Sequence, residues 1–317
     1  MKIIKLTTPW RHDFLKSQLN PQIVDYKFEI DNDCRECDYW IVWGDIPHEH
    51  ERMVVKCPPS NVIYMTDEAH EQKQFNQKFL DQFNYVITCR EDLHHRNLIQ
   101  THEINHWQLS KSFTDVYSTA KIEKTKSLSV VCSDLTILIG HKKRFAFVNK
   151  LIGHFKDRID VYGRGFNPID DKWDALAPYK YSVAIENSAI PGYFTEKITE
   201  CYLAHTLPIY YGPPDITSYF APESLVRIDV DDYRSGILTI EKLLEEDPWE
   251  QLQDTLIEQK LLYLNKYQLF PALCNVVSKL DGPQGEKKRC VINGHETYYS
   301  NYRLRKLYQQ LKQKLNK

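Results

Sequence analysis

Short apolar runs recur along most of this 317-residue chain, and polar segments with helical periodicity separate them. Such runs are typical of strands buried on both faces of a parallel sheet, whose neighbours are joined by crossover helices. The pattern therefore predicts an α/β fold. The predicted strands are residues 2–6, 38–43, 62–65, 84–88, 127–133, 159–163, 181–187, 207–212 and 224–230.

The length of the chain suits two α/β domains better than one. Residues 109–127 are rich in Ser, Thr and Lys and lack apolar periodicity, which is typical of a connection between domains. Helices are predicted at 143–155, from about 195, at 237–246 and at 250–264. The predicted division is an N-terminal domain over 1–115, a linker over 116–127, a second domain over 128–270 and a C-terminal helical segment over 271–317.

The last seventeen residues have the pattern of a basic amphipathic helix. Four leucines at steps of 3, 4 and 4 share one helical face, and six positive charges occur with no acidic residue. Such a helix can lie on an anionic membrane surface, or it can pack its leucines back on the protein, and both can hold for different turns. The leucines are Leu304, Leu307, Leu311 and Leu315, and the cations are Arg303, Arg305, Lys306, Lys312, Lys314 and Lys317.

The formal net charge of −2 argues against a nucleic-acid-binding protein, which usually has a strongly basic surface. No segment approaches the roughly 20 apolar residues that span a bilayer, and the first ten residues lack the apolar stretch of a signal peptide. We therefore expect a cytoplasmic protein with its eight cysteines reduced, held at the inner face of the membrane where the basic tail binds it.

Motifs of several common enzyme classes are absent from the sequence. No P-loop, GxSxG elbow or HExxH motif occurs. Gly163 and Gly165 follow a predicted strand, but Pro168 replaces the third glycine of a dinucleotide fingerprint. These absences argue against a dehydrogenase and against an NTPase.

Three patterns in the sequence could suggest a metal ion, and none is specific. Cys34 and Cys37 form a single CxxC without a second pair, which favours ordinary thiols. Asp229 and Asp231 have DxD spacing, but such a triplet arises easily in a chain with 43 acidic residues. Four histidines in polar segments lack a third ligand at a recognisable spacing, so the sequence predicts no metal site. They are His48, His50, His94 and His95.

The most informative stretch is 179–215, where a strand ends at Glu186 and a helix begins near residues 193–197. Thr195 or Ser188 could cap that helix. Lys197 in the first turn opposes the helix dipole, which favours anions there. A cation at this position is reasonable if an anion such as a diphosphate binds at the same end. Glu186 itself has two readings, as a residue that bonds neighbouring backbone or as part of a site.

Arg144 stands at the start of the helix that follows the strand at 127–133. Arginine binds phosphate oxygens in a bidentate manner, and the carboxyl edge of a parallel sheet is where ligands bind in such folds. A single arginine is also often a solvated surface charge. Together with Lys197, Arg144 nevertheless points to an anionic ligand.

These residues form a longer ordered pattern that resembles the family 10 glycosyltransferases, the α-1,3/4-fucosyltransferases. The resemblance is strong over about 128–232, weaker over 1–100 and negligible after 270. Upstream, it also includes Arg144, Phe147, Leu151 and residues 161–164. The matching positions of the main pattern are Glu186-Asn187-Ser188, Tyr193, Thr195-Glu196-Lys197, Ala204, Pro208-Ile209 and Gly212-Pro213-Pro214.

The resemblance implies two Rossmann-like domains that face each other across a cleft, the GT-B arrangement, with the donor nucleotide on the C-terminal domain. It implies that Arg144 and Lys197 hold the diphosphate of GDP-fucose, and that Asn187 and Tyr193 contact the diphosphate or the ribose. Glu196 would face the fucose ring, where positive charge develops.

The resemblance also places a catalytic base in the N-terminal domain, after a strand. Thr66-Asp67-Glu68 occupies that place, so Glu68 is the predicted base and Asp67 its nearest rival. A base is needed because inversion at the anomeric carbon is a single displacement in which the attacking hydroxyl loses its proton. The oxocarbenium-like transition state would be favoured by Glu196, and the leaving diphosphate by Arg144 and Lys197.

Because these cations take the place of a metal ion, the resemblance implies a metal-independent transfer of fucose from GDP-β-L-fucose to a glycan acceptor. The linkage is α-1,3 or α-1,4, and the acceptor is an oligosaccharide or a glycolipid, as in synthesis of a surface glycan or lipopolysaccharide. Two alternatives stay open: the same mechanism with another GDP-linked 6-deoxy sugar, and a non-catalytic module that binds a nucleotide sugar or a glycan.

Overall fold

The computed structural model describes residues 1–10, 13–30, 33–69, 71, 73–280 and 285–299, without the side chains of 13 and 14. The chain forms two compact units. The first contains 1–12, 22–100 and the chain from 277 onward, and the second contains 13–21 and 101–276. The predicted basic helix at 301–317 lies outside the described residues.

The first unit is built on a six-stranded parallel sheet. Its central strand reads YWIVW and is buried at every position, which agrees with the continuous apolar run expected of a parallel strand covered on both faces. The strand order is β2-β1-β3-β5-β6-β7. These strands are β1 (Lys2–Thr7), β2 (Tyr26–Glu29), β3 (Tyr39–Trp43), β5 (Val62–Met65), β6 (Tyr85–Thr88) and β7 (Leu98–Gln100).

A separate two-stranded antiparallel sheet covers part of this unit. It pairs β4 (Arg52–Cys57) with the late strand β13 (Lys288–Asn293). The inward residues of β4 are buried, and its outward residues Arg52, Val54 and Lys56 are exposed. The alternation matches a half-buried antiparallel sheet. The prediction that 271–317 is helical is therefore wrong at β13, where β-branched residues pair with β4.

The second unit contains a five-stranded parallel sheet in the order β12-β11-β10-β8-β9. Its central strand, β10, is almost entirely buried and pairs with β8 on one side and β11 on the other. The strand predicted at 224–230 is only two residues long, because the chain leaves the sheet after Arg227. The strands are β8 (Lys126–Val131), β9 (Asp160–Tyr162), β10 (Tyr179–Ile185), β11 (Leu207–Tyr211) and β12 (Val226–Arg227).

In the second unit an α-helix lies between each pair of successive strands from β8 to β11, as parallel pairing requires. A five-residue π-helical turn, Tyr263–Tyr267, continues α7. The helices are α1 (Gln77–Leu80), α2 (Phe113–Ser118), α3 (Ile139–Phe155), α4 (Trp173–Leu176), α5 (Glu196–Leu203), α6 (Tyr233–Glu246), α7 (Gln253–Leu262) and α8 (Leu269–Lys279). No described helix is both long and apolar enough to cross a bilayer.

The units divide the chain elsewhere than at the predicted boundaries. The chain enters the second unit after residue 100, before the predicted linker at 116–127. Residues 113–118 form α2, which begins with a capping box between Ser112 and Asp115. Phe113 and Val116 of this helix are buried in the core of the second unit. The segment with low apolar periodicity therefore contains a short packed helix, which the sequence did not predict.

Helix α3 packs closely against the loop that follows β10. A Cβ atom on Gly140, in the first turn of α3, would lie 1.9 Å from the backbone oxygen of Asn187. Gly153 lies near the other end of the same helix, and a Cβ there would meet nothing within 4 Å. The approach of α3 to this loop therefore depends on the absence of a side chain at 140.

Gly140→Ala should lower the unfolding free energy by about 1–3 kcal/mol, the usual effect of overpacking, because backbone must move. Gly153→Ala is the matched control and should raise it by about 0.5–1 kcal/mol through helix propensity. Urea unfolding of both variants measures the difference. Stabilisation by both substitutions would contradict the close approach at Asn187.

Candidate active site

A cavity of about 330 Å³ lies in the second unit, at the carboxyl ends of β8 and β10. Residues 131–133 and 182–185 form its floor, Arg144 of α3 forms one wall, and four residues of α5 form another. The four are Glu196, Lys197, Glu200 and Cys201. Ligands of open α/β sheets bind at this edge, so the cavity is the candidate site.

Arg144 reaches the cavity although its residue is only 8% exposed. One terminal nitrogen donates to Oδ1 of Asn187 at 2.6 Å, and the other donates to Oγ of Ser133 at 3.2 Å. The Nε hydrogen is buried and has no acceptor among the described residues. A buried donor without an acceptor is rare in proteins, and it is the group that an anion in the cavity could satisfy.

Glu186 organises the start of α5. Its side chain is fully buried, and its two carboxylate oxygens accept from the backbone and hydroxyl of Thr195 at 2.8 and 2.7 Å. The hydroxyl of Tyr210 donates to the same carboxylate at 3.2 Å. Thr195 stands at the N-cap position, but its hydroxyl bonds Glu186 instead of capping the helix. The structure thus supports the first reading of Glu186, as a residue that bonds its neighbours.

Lys197 is fixed by the same carboxylate. Its Nζ lies 3.2 Å from Oε2 of Glu186 and donates to Oγ1 of Thr195 at 2.9 Å. Burial lowers the pKa of Lys197, but Glu186 and Glu196 raise it more, so the net pKa is above its usual value. Lys197 therefore stays charged at the cavity wall, in the first turn of α5, as the sequence predicts.

Glu196 lines the cavity between two cations. Its Oε1 lies 3.5 Å from Nζ of Lys197 and 3.5 Å from Nζ of Lys172. Burial raises the pKa of Glu196, but the two lysines lower it further, so the net pKa is below its usual range. The carboxylate is thus ionised at neutral pH and places a negative charge at the cavity wall.

Two cavity residues were missed by the sequence analysis, Lys172 and Glu200. Lys172 precedes α4 and contacts Glu200 Oε2 at 3.3 Å, and Glu200 also accepts from the backbone of Gln108 at 2.6 Å. Glu200 lies one helical turn after Glu196, so the i, i+4 spacing was a usable signal for one face. No pattern in the sequence brings Lys172 to this face.

The other predicted donor residues take less direct positions. Asn187 contacts Arg144 and so orients its guanidinium. Tyr193 is buried at 2% exposure and is not among the residues that line the cavity. Arg144, Glu196 and Lys197 are thus brought together, with Asn187 behind Arg144 and Tyr193 in the core.

The predicted base lies in the first unit, just after β5. The Asp67 carboxylate is 6% exposed and pairs with Lys73 Nζ at 3.0 Å. Glu68 is half-buried, and its backbone oxygen accepts from Arg90 at 3.4 Å. Arg90 is fully buried, donates to Lys73 O at 2.7 Å and forms a two-bond pair with Asp92. The ion pair gives Asp67 a structural partner, and Arg90 fixes the backbone that carries Glu68.

Gly44, at the end of β3, closes the space beside Asp67. Its φ is +77°, a conformation that favours glycine. A Cβ atom there would lie 2.6 Å from the Trp10 ring and 2.9 Å from Asp67 Oδ2. The carboxyl ends of β1, β3 and β5 therefore meet around a packed Trp10–Gly44–Asp67 contact.

The weak metal patterns have other partners in the structure. Asp231 accepts from Lys143 Nζ at 2.6 Å, and Asp229 accepts from the backbone of Asp231 at 2.9 Å. None of the eight cysteines, all within the described residues, forms a disulfide. His95 bonds the carbonyl groups of Asn97 and Phe83. Within the described part of the chain, no group of three or more His, Cys, Asp or Glu residues could hold a metal ion.

The chain has an α/β fold with parallel sheets, the fold class predicted from the sequence, and its structural neighbours are GT-B glycosyltransferases. A crystal structure of an α1,3-fucosyltransferase with GDP-fucose covers 90% of this chain and 92% of its own, at a TM-score of 0.51 and 18% identity. At that identity the likeness shows the fold alone.

Residues 122–248 match the model of "Glycosyltransferase family 10 (fucosyltransferase) C-term". This match confirms the resemblance found in the sequence, over residues 122–248. FucT of Helicobacter pylori, an α-(1,3)-fucosyltransferase, is 41% identical over 64 residues, 20% of this chain and 13% of that protein. Human FUT6, a 3-α-L-fucosyltransferase, is 33% identical over 97 residues, 29% and 26% of the two chains. The matches thus span about a quarter or less of these curated relatives.

Glu186→Ala should lower the unfolding free energy by about 3–5 kcal/mol, because Lys197 then keeps a buried charge and Thr195 keeps a buried N–H without an acceptor. Glu245→Ala is the matched control, since Glu245 is an exposed residue of α6 and should change stability by less than about 0.5 kcal/mol. Urea unfolding measures both. Equal stability of the two variants would mean that the carboxylate does not hold the start of α5.

Proposed function

We propose that this protein is an inverting glycosyltransferase that moves L-fucose from GDP-β-L-fucose to a hydroxyl of a glycan acceptor, forming an α-1,3 or α-1,4 linkage. The observation that carries the proposal is the pair of fixed cations at one cavity wall. Arg144 has a buried Nε donor without an acceptor, and Lys197 is charged and fixed at a helix start. Both suit a diphosphate, and the family of the segment favours a fucosyl donor.

Arg144 and Lys197 would act on the leaving group. Negative charge grows on the diphosphate as the glycosidic bond breaks, and donors that are already fixed stabilise it without reorganisation. Glu186 holds Lys197 and Asn187 holds Arg144, so both cations are oriented before the donor binds. We therefore expect donor binding and transfer to need no metal ion.

Glu196 would act on the sugar. Its carboxylate is ionised because Lys172 and Lys197 outweigh burial, and it lines the cavity. An oxocarbenium-like centre gains positive charge in the transition state, and a fixed carboxylate favours that charge. Glu68 would take the proton of the acceptor hydroxyl, with Asp67 as the rival base.

Two other functions compete with this one. A transferase with the same mechanism could use another GDP-linked 6-deoxy sugar, since donor choice depends on a few contacts to ring hydroxyls. A non-catalytic module would bind the donor without turnover. Membrane association through 301–317 and a cytoplasmic location stay predictions from the sequence.

GDP should bind the purified protein, and UDP should bind at least tenfold more weakly, both in the presence of EDTA. The reason is that the protein's own cations hold the diphosphate and the family match goes with a guanine nucleotide. Isothermal titration calorimetry measures both ligands. Equal binding of UDP would contradict a GDP-sugar donor, and binding restored only by Mn²⁺ would contradict metal independence.

Glu68→Ala should lower turnover by about 10²–10⁴-fold and leave GDP affinity unchanged, because a general base acts only in the transition state. Lys197→Ala should lower both turnover and GDP affinity, since it removes a contact to the diphosphate. Initial rates with GDP-fucose and a lactosamine-type acceptor, together with calorimetry, separate the two effects.

Asp67→Ala serves as the matched comparison for the base. A large loss there with near-normal turnover in Glu68→Ala would move the base to Asp67. Binding of GDP-fucose without turnover in any acceptor screen would favour the non-catalytic module, and turnover with a different GDP-sugar would favour the other donor.

A further inference from the structure

Two charged residues of the candidate cavity, Lys172 and Glu200, have no direct contact with the substrate in the proposed chemistry. Lys172 lies between two carboxylates of α5, with Nζ 3.5 Å from Glu196 and 3.3 Å from Glu200, and it donates to Gln108 Oε1 at 2.9 Å. One lysine thus serves two carboxylates one helical turn apart.

Glu200 is the more buried of these two carboxyl groups. Its side chain is 2% exposed, compared with 16% for Glu196, and both line the cavity. Burial raises the pKa of Glu200, Lys172 opposes this and Glu196 adds to it, with the result that the pKa is about 7. The pKa of Glu196 is lowered instead, because Lys197 faces it as well as Lys172.

Several charged or titratable groups of the described chain surround Glu200, in the cavity and behind it. Lys172 faces it from before α4, Glu196 and Cys201 lie on α5 itself, and Tyr263 faces it from the π-helical turn after α7. Lys197 and Glu186 complete the cluster at the start of α5. Glu196 has two lysines at 3.5 Å, whereas Glu200 has one, Lys172, at 3.3 Å.

The charge balance of the cavity makes Glu200 sensitive to an anionic ligand. Arg144, Lys172 and Lys197 supply three positive charges, and Glu186, Glu196 and Glu200 supply three negative charges when all are ionised. Arg164 also lines the cavity, and Asp134 pairs with it. A diphosphate diester adds two negative charges to this enclosed space. At short range and low dielectric, each added negative charge favours protonation of the nearest weakly neutralised carboxylate.

We propose that Glu200 is a positioning residue that takes up one proton from solvent when the anionic donor binds, which frees Lys172 to interact with the donor. In the empty cavity Lys172 is shared by Glu196 and Glu200. When the donor is bound, the neutral Glu200 still accepts from the backbone of Gln108 and no longer competes for the lysine. This inference rests on the proposed function, because it requires a GDP-sugar in the cavity.

The sign of the pH dependence follows from this linkage. Glu200 in the empty protein loses its proton as pH rises through about 7, and the bound donor keeps the proton on. Binding above pH 7 must therefore bring a proton in, so donor affinity should fall by up to about tenfold per pH unit between pH 7 and 8. Below pH 6 Glu200 is already protonated, and affinity should be constant.

Calorimetric titration of GDP-fucose at pH 8, in buffers that differ in ionisation enthalpy, measures the number of protons taken up. GDP-fucose is the probe because its phosphates do not titrate in this range. The wild-type chain should take up close to one proton. Glu200→Gln keeps an oxygen for Gln108 and Lys172 but cannot titrate, so uptake should fall to near zero and affinity should become independent of pH.

Lys172→Met is the second variant. Without the lysine, Glu200 is already protonated in the empty cavity, so uptake should also vanish while affinity falls. Glu245→Gln on α6 is the matched control and should take up as many protons as the wild type. Proton uptake that persists in Glu200→Gln would overturn the proposal. The other candidate for the proton is His141, whose pKa is lowered by burial and by Arg144. Loss of proton uptake in His141→Gln would assign the proton to His141 and would also overturn the proposal.

Failure of this inference can be told apart from failure of the proposed function. Binding of GDP-fucose with no proton uptake in the wild type would overturn the role of Glu200 and leave the donor assignment intact. Absence of GDP-fucose binding would overturn both.

Discussion

The buried carboxylate of Glu186 is the interaction on which the cavity depends. It accepts from the backbone and hydroxyl of Thr195 and pairs with Lys197, so it fixes both where α5 begins and where its first cation lies. Because α5 then presents Glu196, Lys197 and Glu200 to one space, the whole wall of the cavity follows from that fixed start. A lysine at a helix N-terminus opposes the dipole, and the Glu186 carboxylate offsets that repulsion.

The sequence predicted the parallel α/β architecture because the strands are buried runs whose composition does not depend on distant context. β5 was predicted to the residue, and β10 and β11 to within two residues at each end. The prediction failed where pairing across the chain decides the structure. β13 forms only because β4 offers it an edge, and α2 looked like a linker because it has few apolar residues.

The candidate site residues found from the sequence are either close together along the chain or part of the family pattern. Arg144, Glu196 and Lys197 all line the cavity. Lys172 was missed because it lies 24 residues before Glu196, and only the fold of the α4 region carries it to α5. Local patterns cannot predict such a contact. The buried Nε of Arg144, which has no acceptor among the described residues, also depends on contacts between distant parts of the chain and could not be predicted from the sequence.

A last consequence concerns how the cavity tolerates so much buried charge. Each cation in it already has an anionic or polar partner, so the empty cavity is close to neutral and the protein does not bear the large penalty of an unpaired buried ion. A ligand that brings negative charge can bond the Nε of Arg144 directly, but it must compete with Glu186, Glu196 and Glu200 for Lys172 and Lys197. Glu186 cannot release Lys197, because it also holds Thr195, and Glu196 is kept ionised by two lysines. Glu200 is therefore the group through which an incoming anion can gain Lys172 without dismantling the start of α5.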